Sequence, residues 1–185
     1  MAVALLSVCI SNAQIKEEIQ KSQERAAKLQ KLCDGYKTCG NAGVDGYGDE
    51  MKKAAVFAIA NSAQLEKMYK RQIGETKDGV TDVTITKPTL AEWTTLATTI
   101  AGEAASVKAA VDKAKGAGEE AQKLATEASG SKNPMKAAKA AKTAKAAAAV
   151  VEFGNAATPI LMEETAAQAK AVNEIVNTLK SGKNL

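Results

Sequence analysis

Histidine is absent from this chain of 185 residues, and it has only three Pro, one Trp, three Tyr and two Phe. Without an imidazole, the chain has no Ser–His or Cys–His nucleophile pair, no histidine metal ligand and no histidine general base. These absences argue against a conventional hydrolase or metalloenzyme. We therefore expect a protein that is not an enzyme, with no catalytic residue, metal site or cofactor.

The scarcity of proline and aromatic residues, together with abundant alanine, favours long helices that pack through small side chains. The length fits a single domain. Helical periodicity along most of the chain predicts an all-α protein, an elongated bundle of about four or five helices with a long antiparallel coiled-coil hairpin.

Residues 1–13 form an apolar run that ends in the small residues Ser11, Asn12 and Ala13. This pattern is typical of the end of a secretory signal, although no Lys or Arg precedes it. We therefore expect a mature domain over 14–185 that is periplasmic, secreted or held at a cell surface. An apolar first turn of the following helix is the alternative. The run is too short to span a bilayer, and we expect no membrane span.

Removal of residues 1–13 would delete Cys9 and leave Cys33 and Cys39 at either end of Asp-Gly-Tyr-Lys-Thr. A flexible loop of this length can close without strain, so an exported protein is predicted to form a Cys33–Cys39 disulfide. Two free thiols in a reducing cytosol are the alternative. The spacing is not that of a zinc site.

The first half of the chain contains two helical patterns separated by glycine. Apolar residues recur at helical spacing over about 14–32, with Arg25 on the opposite, solvent-facing side, and again over about 49–73. The glycine content of 33–48 predicts a long loop between them. Threonines and β-branched residues around an Asp-Gly turn make 74–88 an extended connection with a small hairpin.

The coiled-coil hairpin is predicted over 89–153. Thr89 and Glu92 form a capping-box signature that begins its first arm, and Asn133 with Pro134 caps the second. Two interleaved series spaced by seven residues predict the seam of the first arm. They are Trp93, Ile100, Val107, Ala114, Ala121 and Ala128, and Ala97, Ala104, Val111, Gly118 and Ala125.

A C-terminal helix is predicted over 159–180, because Gly154 and Asn155 resemble a helix stop and Thr158 with Pro159 a new start. A single long helix kinked at Pro159 is the alternative.

Two sets of side chains are candidates for contact with a partner. Tyr36 and Tyr47 lie in the predicted glycine-rich loop, where tyrosine gives a large contact area at low entropic cost. The alternative is that both rings cover the end of the bundle.

A lysine–alanine repeat supplies the second candidate, a basic face. Its members are Lys132, Lys136, Lys139, Lys142 and Lys145. The repeat resembles the basic tails of linker histones, which implies nucleic-acid binding. However, a three-residue step falls about 60° short of a full turn, so these lysines spiral around the helix. We expect a solvated face, or one in which Glu119, Glu120 and Glu127 of the facing arm pair with Lys145, Lys142 and Lys136. The net charge of +4 is small for a nucleic-acid binder, which argues against a nucleic-acid partner.

The sequence thus favours an exported, non-enzymatic helical protein with a structural or protein-binding role in the cell envelope. In style it is similar to periplasmic helical chaperones, by analogy of composition alone. A protein partner or self-association through the alanine seam is expected. A lysine-rich nucleic-acid-binding helical protein is the alternative.

Overall fold

The computed structural model describes residues 12–77, 80–82, 84–183 and 185. Within them the chain forms five helices and one two-stranded hairpin. These are α1 (Asn12–Gly35), α2 (Ala42–Ile73), β1 (Glu75–Lys77), β2 (Val80–Asp82), α3 (Leu90–Asp112), α4 (Ala114–Gly130) and α5 (Pro134–Lys180). The predicted all-α class is confirmed, because the short hairpin is only a connection between α2 and α3.

The prediction of a long loop over 33–48 is wrong, because α1 ends at Gly35 and α2 begins at Ala42. The side chain of Asn41 accepts hydrogen bonds from two backbone N–H groups in the first turn of α2, at 3.1 Å each. Such an N-cap stabilises a helix by roughly 0.5–2 kcal/mol, comparable to the cost of a helical glycine. The connection between the helices is therefore confined to 36–41.

Two helical glycines are required by the close approach of neighbouring helices. A Cβ at Gly48 would lie 2.6 Å from Tyr36 Cε2 and from Val150 Cγ1. A Cβ at Gly154 would meet the ring of Tyr47, with Cε1 at 2.6 Å. Tertiary packing thus explains why glycines persist inside α2 and α5.

We expect Gly154→Ala to lower the free energy of unfolding by about 1–3 kcal/mol, because the added methyl group overpacks a buried contact. A matched control is Gly118→Ala in α4, where the added Cβ would lie within 4 Å of no heavy atom of the described residues outside its own stretch of helix. That control should gain about 0.5–1 kcal/mol from helix propensity. Urea denaturation of both variants is the measurement, and equal stabilities would contradict the packing argument.

The seam of α3 is shifted by one residue from the prediction. The predicted series through Trp93, Ile100 and Val107 is buried, but Ala104 of the second series is exposed. The buried second series contains Leu96, Glu103, Ala110 and Ala117. This register was not predictable from the sequence, because a glutamate occupies a buried position of the seam and alanines occur at both buried and exposed positions of the helix.

The first arm of the hairpin is two helices instead of one. Lys113 separates α3 from α4, and its backbone N–H bonds to the carbonyl of Ala110 at 3.1 Å. The turn at the far end follows the prediction, since the Asn133 side chain caps α5 and Pro134 occupies its first turn. Among the described residues of α4, Ala117 alone is buried, and the first buried residue of α5 is Ala144.

The prediction of a separate C-terminal helix over 159–180 is also wrong, because α5 runs unbroken for 47 residues with Pro159 inside it. A proline inside a helix costs roughly 3 kcal/mol. The helix continues because Phe153, Ala157 and Leu161 are buried on both sides of the proline. Helix α5 packs against each of the other four helices of the bundle.

Candidate functional site

The two candidate tyrosines have different environments. Tyr47 lies within α2 and is 1% exposed, so the prediction that it contributes to a contact surface is wrong. Its ring fills the space that Gly154 leaves open. Tyr36 lies in the loop and is half-buried.

The ring of Tyr36 is fixed on both sides. It packs against Phe153 with ring centroids 4.9 Å apart and planes tilted by 40°. Its hydroxyl donates a hydrogen bond to Asp49 Oδ1 at 2.7 Å. Burial, and next the bond to Asp49, raise the pKa of Tyr36 well above its usual value. The hydroxyl is therefore a fixed donor and supplies no base at neutral pH.

The five candidate lysines are all exposed, and none of them forms an ion pair with another residue that the structure describes. Of the two predicted arrangements, the solvated face is the one present, because the pairs across the hairpin do not form among the described residues. Glu119 instead approaches Lys115 at 3.8 Å and Glu120 approaches Lys123 at 3.9 Å, both within α4. Partners three or four residues away on the same helix are reached with little ordering of the side chains.

One cleft joins part of each candidate set. It has a volume of about 360 Å³ and lies between the 36–41 loop and α5. Its principal lining residues are Tyr36, Lys37, Thr38, Lys142, Lys145 and Phe153, and we call it the basic–aromatic cleft. Tyr47, Lys132, Lys136 and Lys139 are not part of it.

Helical spacing explains the α5 wall of the basic–aromatic cleft. Lys142, Lys145, Ala146, Ala149 and Phe153 follow one another at steps of one, three or four residues, which places them on one face of the helix. The small side chains of the two alanines leave room between the lysines and the aromatic ring. Sequence reasoning missed Phe153 because nothing in its local pattern distinguishes a cleft wall from a core position.

The lining of the cleft is positively charged, because the described residues that form it include three lysines and no carboxylate. Asp45 accepts hydrogen bonds from the backbone N–H groups of Cys39 at 2.7 Å and Gly40 at 2.9 Å. Asp34 accepts one from Gln30 Nε2 at 2.7 Å. Among the described residues these carboxylates form no ion pair with the lysines of the cleft.

Cys33, near the end of α1, and Cys39, in the 36–41 loop, are free thiols in the structure. Cys33 is buried and Cys39 is half-buried, with its sulfur accepting a hydrogen bond from the Asn41 backbone N–H at 3.4 Å. Burial raises the pKa of both thiols, so neither is activated as a nucleophile. The Cys33–Cys39 disulfide stays a prediction.

A buried polar network, which sequence reasoning missed, lies between α1, α2 and α5. Glu164 is 0% exposed and accepts hydrogen bonds from Arg25 Nε at 2.5 Å, from Gln168 Nε2 at 2.5 Å and from the Ser22 hydroxyl. Ser22 and Ser62 share a hydrogen bond of 2.7 Å. Arg25, predicted to face solvent, is 7% exposed.

Arg25 also contacts two further carboxylates. Its guanidinium pairs with Glu163 at 3.2 Å and with Glu18. A cleft of about 490 Å³ between α1 and α5 includes these residues together with Lys21 and Lys170. Because acidic and basic groups alternate there, this cleft does not select a ligand by charge.

Glu103 is the second buried carboxyl group, on the α3 seam. It is 3% exposed, and its Oε2 accepts a hydrogen bond from Asn61 Nδ2 at 2.5 Å. Its Oε1 has no hydrogen-bond partner within the described part of the chain. The pKa of Glu103 is raised to about 7, chiefly by burial and to a smaller extent by the charge of Glu164, while the hydrogen bond from Asn61 acts in the opposite direction.

In the described ranges, no helix combines the length and the apolar character that a membrane crossing requires. Nor do those ranges bring together three or more His, Cys, Asp or Glu residues able to hold a metal ion. Comparison with protein-family models, with curated proteins and with solved structures found no match. The chemistry of the basic–aromatic cleft is therefore the main indication of function.

Proposed function

We propose that this chain is an exported, non-enzymatic helical protein that binds another protein in the cell envelope, and that the basic–aromatic cleft is its contact site. The observation that carries the proposal is the meeting of unpaired lysines with a fixed aromatic pair in one cleft. Aromatic side chains at a bounded concave site are typical of protein contact points, and positive charge at the edge steers the partner.

The side chains of the cleft favour binding over catalysis. Exposed lysines and a protonated tyrosine supply neither a nucleophile nor a general base at neutral pH. The tyrosine and the phenylalanine instead present a rigid apolar wall, which binds a partner with little loss of side-chain entropy.

The export part of the proposal rests on residues 1–13 and on the pair Cys33 and Cys39. Of these, 1–11 lie outside the described residues. Its support is the pattern of an apolar run that ends in small residues.

Nucleic-acid binding is the second candidate, and one observation favours it. The five lysines of the basic face are exposed and form no ion pair with another described residue. Unpaired lysines are available to phosphates.

Site-specific photocrosslinking tests the protein-binding proposal in the cells that make the protein. We expect a photoreactive phenylalanine at Thr38, in the cleft, to give discrete protein adducts. The same group at the exposed Ser106 of α3 should give none of these adducts, because Ser106 lies away from the cleft.

Charge reversal within the cleft provides the control. Lys142→Glu with Lys145→Glu should abolish the Thr38 adducts, and nuclease treatment should leave them unchanged. Identical adducts from both positions would contradict a specific contact site, and adducts removed by nuclease would favour the nucleic-acid candidate.

A further inference from the structure

Positive charge reaches the basic–aromatic cleft from both of its walls. Lys37 comes from the 36–41 loop, while Lys142 and Lys145 come from α5 and lie close to one turn apart. A further ammonium group, that of Lys52, lies 5.4 Å from the centroid of the Tyr36 ring. All three cleft lysines are exposed and unpaired in the described structure, so an anionic ligand meets them without displacing an internal partner.

The same cleft offers an apolar surface between the lysines. Tyr36, which is half-buried, lines it from the loop, and Phe153, at 7% exposure, lines it from α5 together with Ala146 and Ala149. Ligand pockets usually fall in the range of about 300–1,000 Å³. At about 360 Å³ this cleft is near the lower end, a size suited to one large side chain with its flanking backbone.

Resting on the proposed function, we infer that the partner enters this cleft with an acidic segment that carries one large apolar side chain. The carboxylates of the segment bind Lys37, Lys142 and Lys145, and the apolar side chain packs against Tyr36 and Phe153. Charge complementarity selects the segment, and burial of the apolar group holds it.

The geometry favours an acidic peptide over a nucleic acid. Only two of the five repeat lysines line the cleft, and successive three-residue steps turn the others progressively away from it. Single-stranded nucleic acids bind proteins by stacking bases on exposed aromatic faces. Here the two rings pack against each other, and Phe153 is almost fully buried, so the wall suits a side-chain contact better than base stacking.

Fluorescence anisotropy with the full chain tests this inference. The probe is a short fluorescein-labelled peptide of glutamates with one central phenylalanine. Two comparison peptides replace the phenylalanine with serine or the glutamates with lysines. We expect the serine peptide to bind about tenfold more weakly, since it buries no apolar side chain, and the lysine peptide not to bind.

Paired charge reversals locate the site. Lys142→Glu with Lys145→Glu should weaken binding of the glutamate–phenylalanine peptide by about tenfold or more, because attraction becomes repulsion. Lys132→Glu with Lys136→Glu makes the same change in net charge outside the cleft and should alter the affinity less than about twofold. All four lysines are exposed, and unchanged circular dichroism melting verifies that the variants fold.

Several outcomes would overturn the inference. They are the absence of peptide binding, equal loss from both charge-reversal pairs, or tighter binding of labelled single-stranded DNA that both pairs weaken equally. One combination of results would contradict only the acidic segment. In it, the adducts at Thr38 form and depend on Lys142 and Lys145, but the glutamate–phenylalanine peptide does not bind. The protein-binding proposal itself would then remain.

Discussion

Replacing Arg25 with alanine will lower the free energy of unfolding by about 3–5 kcal/mol, because it leaves a buried carboxylate without its counter-ion. Arg25 is 7% exposed and Glu164 is 0% exposed, and they are joined by a 2.5 Å bond between Arg25 Nε and Glu164 Oε2. In the variant, only the Ser22 hydroxyl and the Gln168 amide still donate to Glu164. Urea denaturation at neutral pH gives the difference.

The matched control lies about one turn earlier in α1. Lys21 pairs with Glu17 at 2.7 Å, but the two side chains are 53% and 64% exposed. Lys21→Ala should therefore lower the free energy of unfolding far less than Arg25→Ala does. Removing both buried charges, with Arg25→Leu and Glu164→Leu, should give a protein more stable than Arg25→Ala. If Arg25→Ala were no less stable than Lys21→Ala, the buried pair would have no such role.

The stability of the protein should fall by about 3 kcal/mol as the pH rises from about 4.5 to about 7, through Glu103 alone. Burial raises the pKa of this carboxyl group from 4.5 to about 7 in the folded protein, so the folded state holds its proton more tightly than the unfolded state does. The stabilisation is complete below pH 4.5 and is lost as the pH rises through this window, where the unfolded group ionises while the folded group still holds its proton. The difference of about 2.5 pKa units corresponds to this free energy at 1.36 kcal/mol per unit.

Glu103→Gln isolates that contribution, because glutamine keeps the shape of the side chain and does not titrate. Urea denaturation of both proteins at several pH values should show a stability difference that changes through this window and is constant outside it. Glu92→Gln is the control for sign, since the hydrogen bonds of Glu92 to the Thr89 backbone and hydroxyl lower its pKa. A flat difference for Glu103→Gln between pH 4.5 and 7 would refute the buried ionisation.

The parts of the fold that follow from local chemistry were predictable from the sequence. The Thr89–Glu92 capping box and the Asn133–Pro134 helix start are both present, because each depends on residues within one turn. The helical glycines of α2 and the continuity of α5 through Pro159 were not predictable. They depend on buried contacts with other helices, which outweigh local preference.

The burial of two charged side chains was also not predictable from the sequence. A glutamate at a seam position and an arginine on an amphipathic helix both follow patterns that normally face solvent. Glu103 and Arg25 are buried because each finds a polar partner on another helix, Asn61 for the first and Glu164 for the second. Such long-range pairs leave no periodic signal.

The candidate site was predictable in part. Tyr36, Lys142 and Lys145 were identified separately from residue type and spacing. Their meeting in one cleft depends on how the 36–41 loop lies against α5, which also adds Lys37 and Phe153. The residue types of the site can therefore be identified from the sequence, but which of them line the same cleft depends on the packing of the loop.

The sparse burial in α4 divides the hairpin into a tip and a base. Among the described residues, Ala117 alone is buried in α4, and α5 buries nothing before Ala144. Local opening needs little free energy where few apolar contacts are broken. Backbone amides near the turn between α4 and α5 therefore exchange with solvent through frequent fraying, many times for each global unfolding. Lys142 and Lys145 lie on either side of Ala144, so a partner in the cleft binds where the fraying stops.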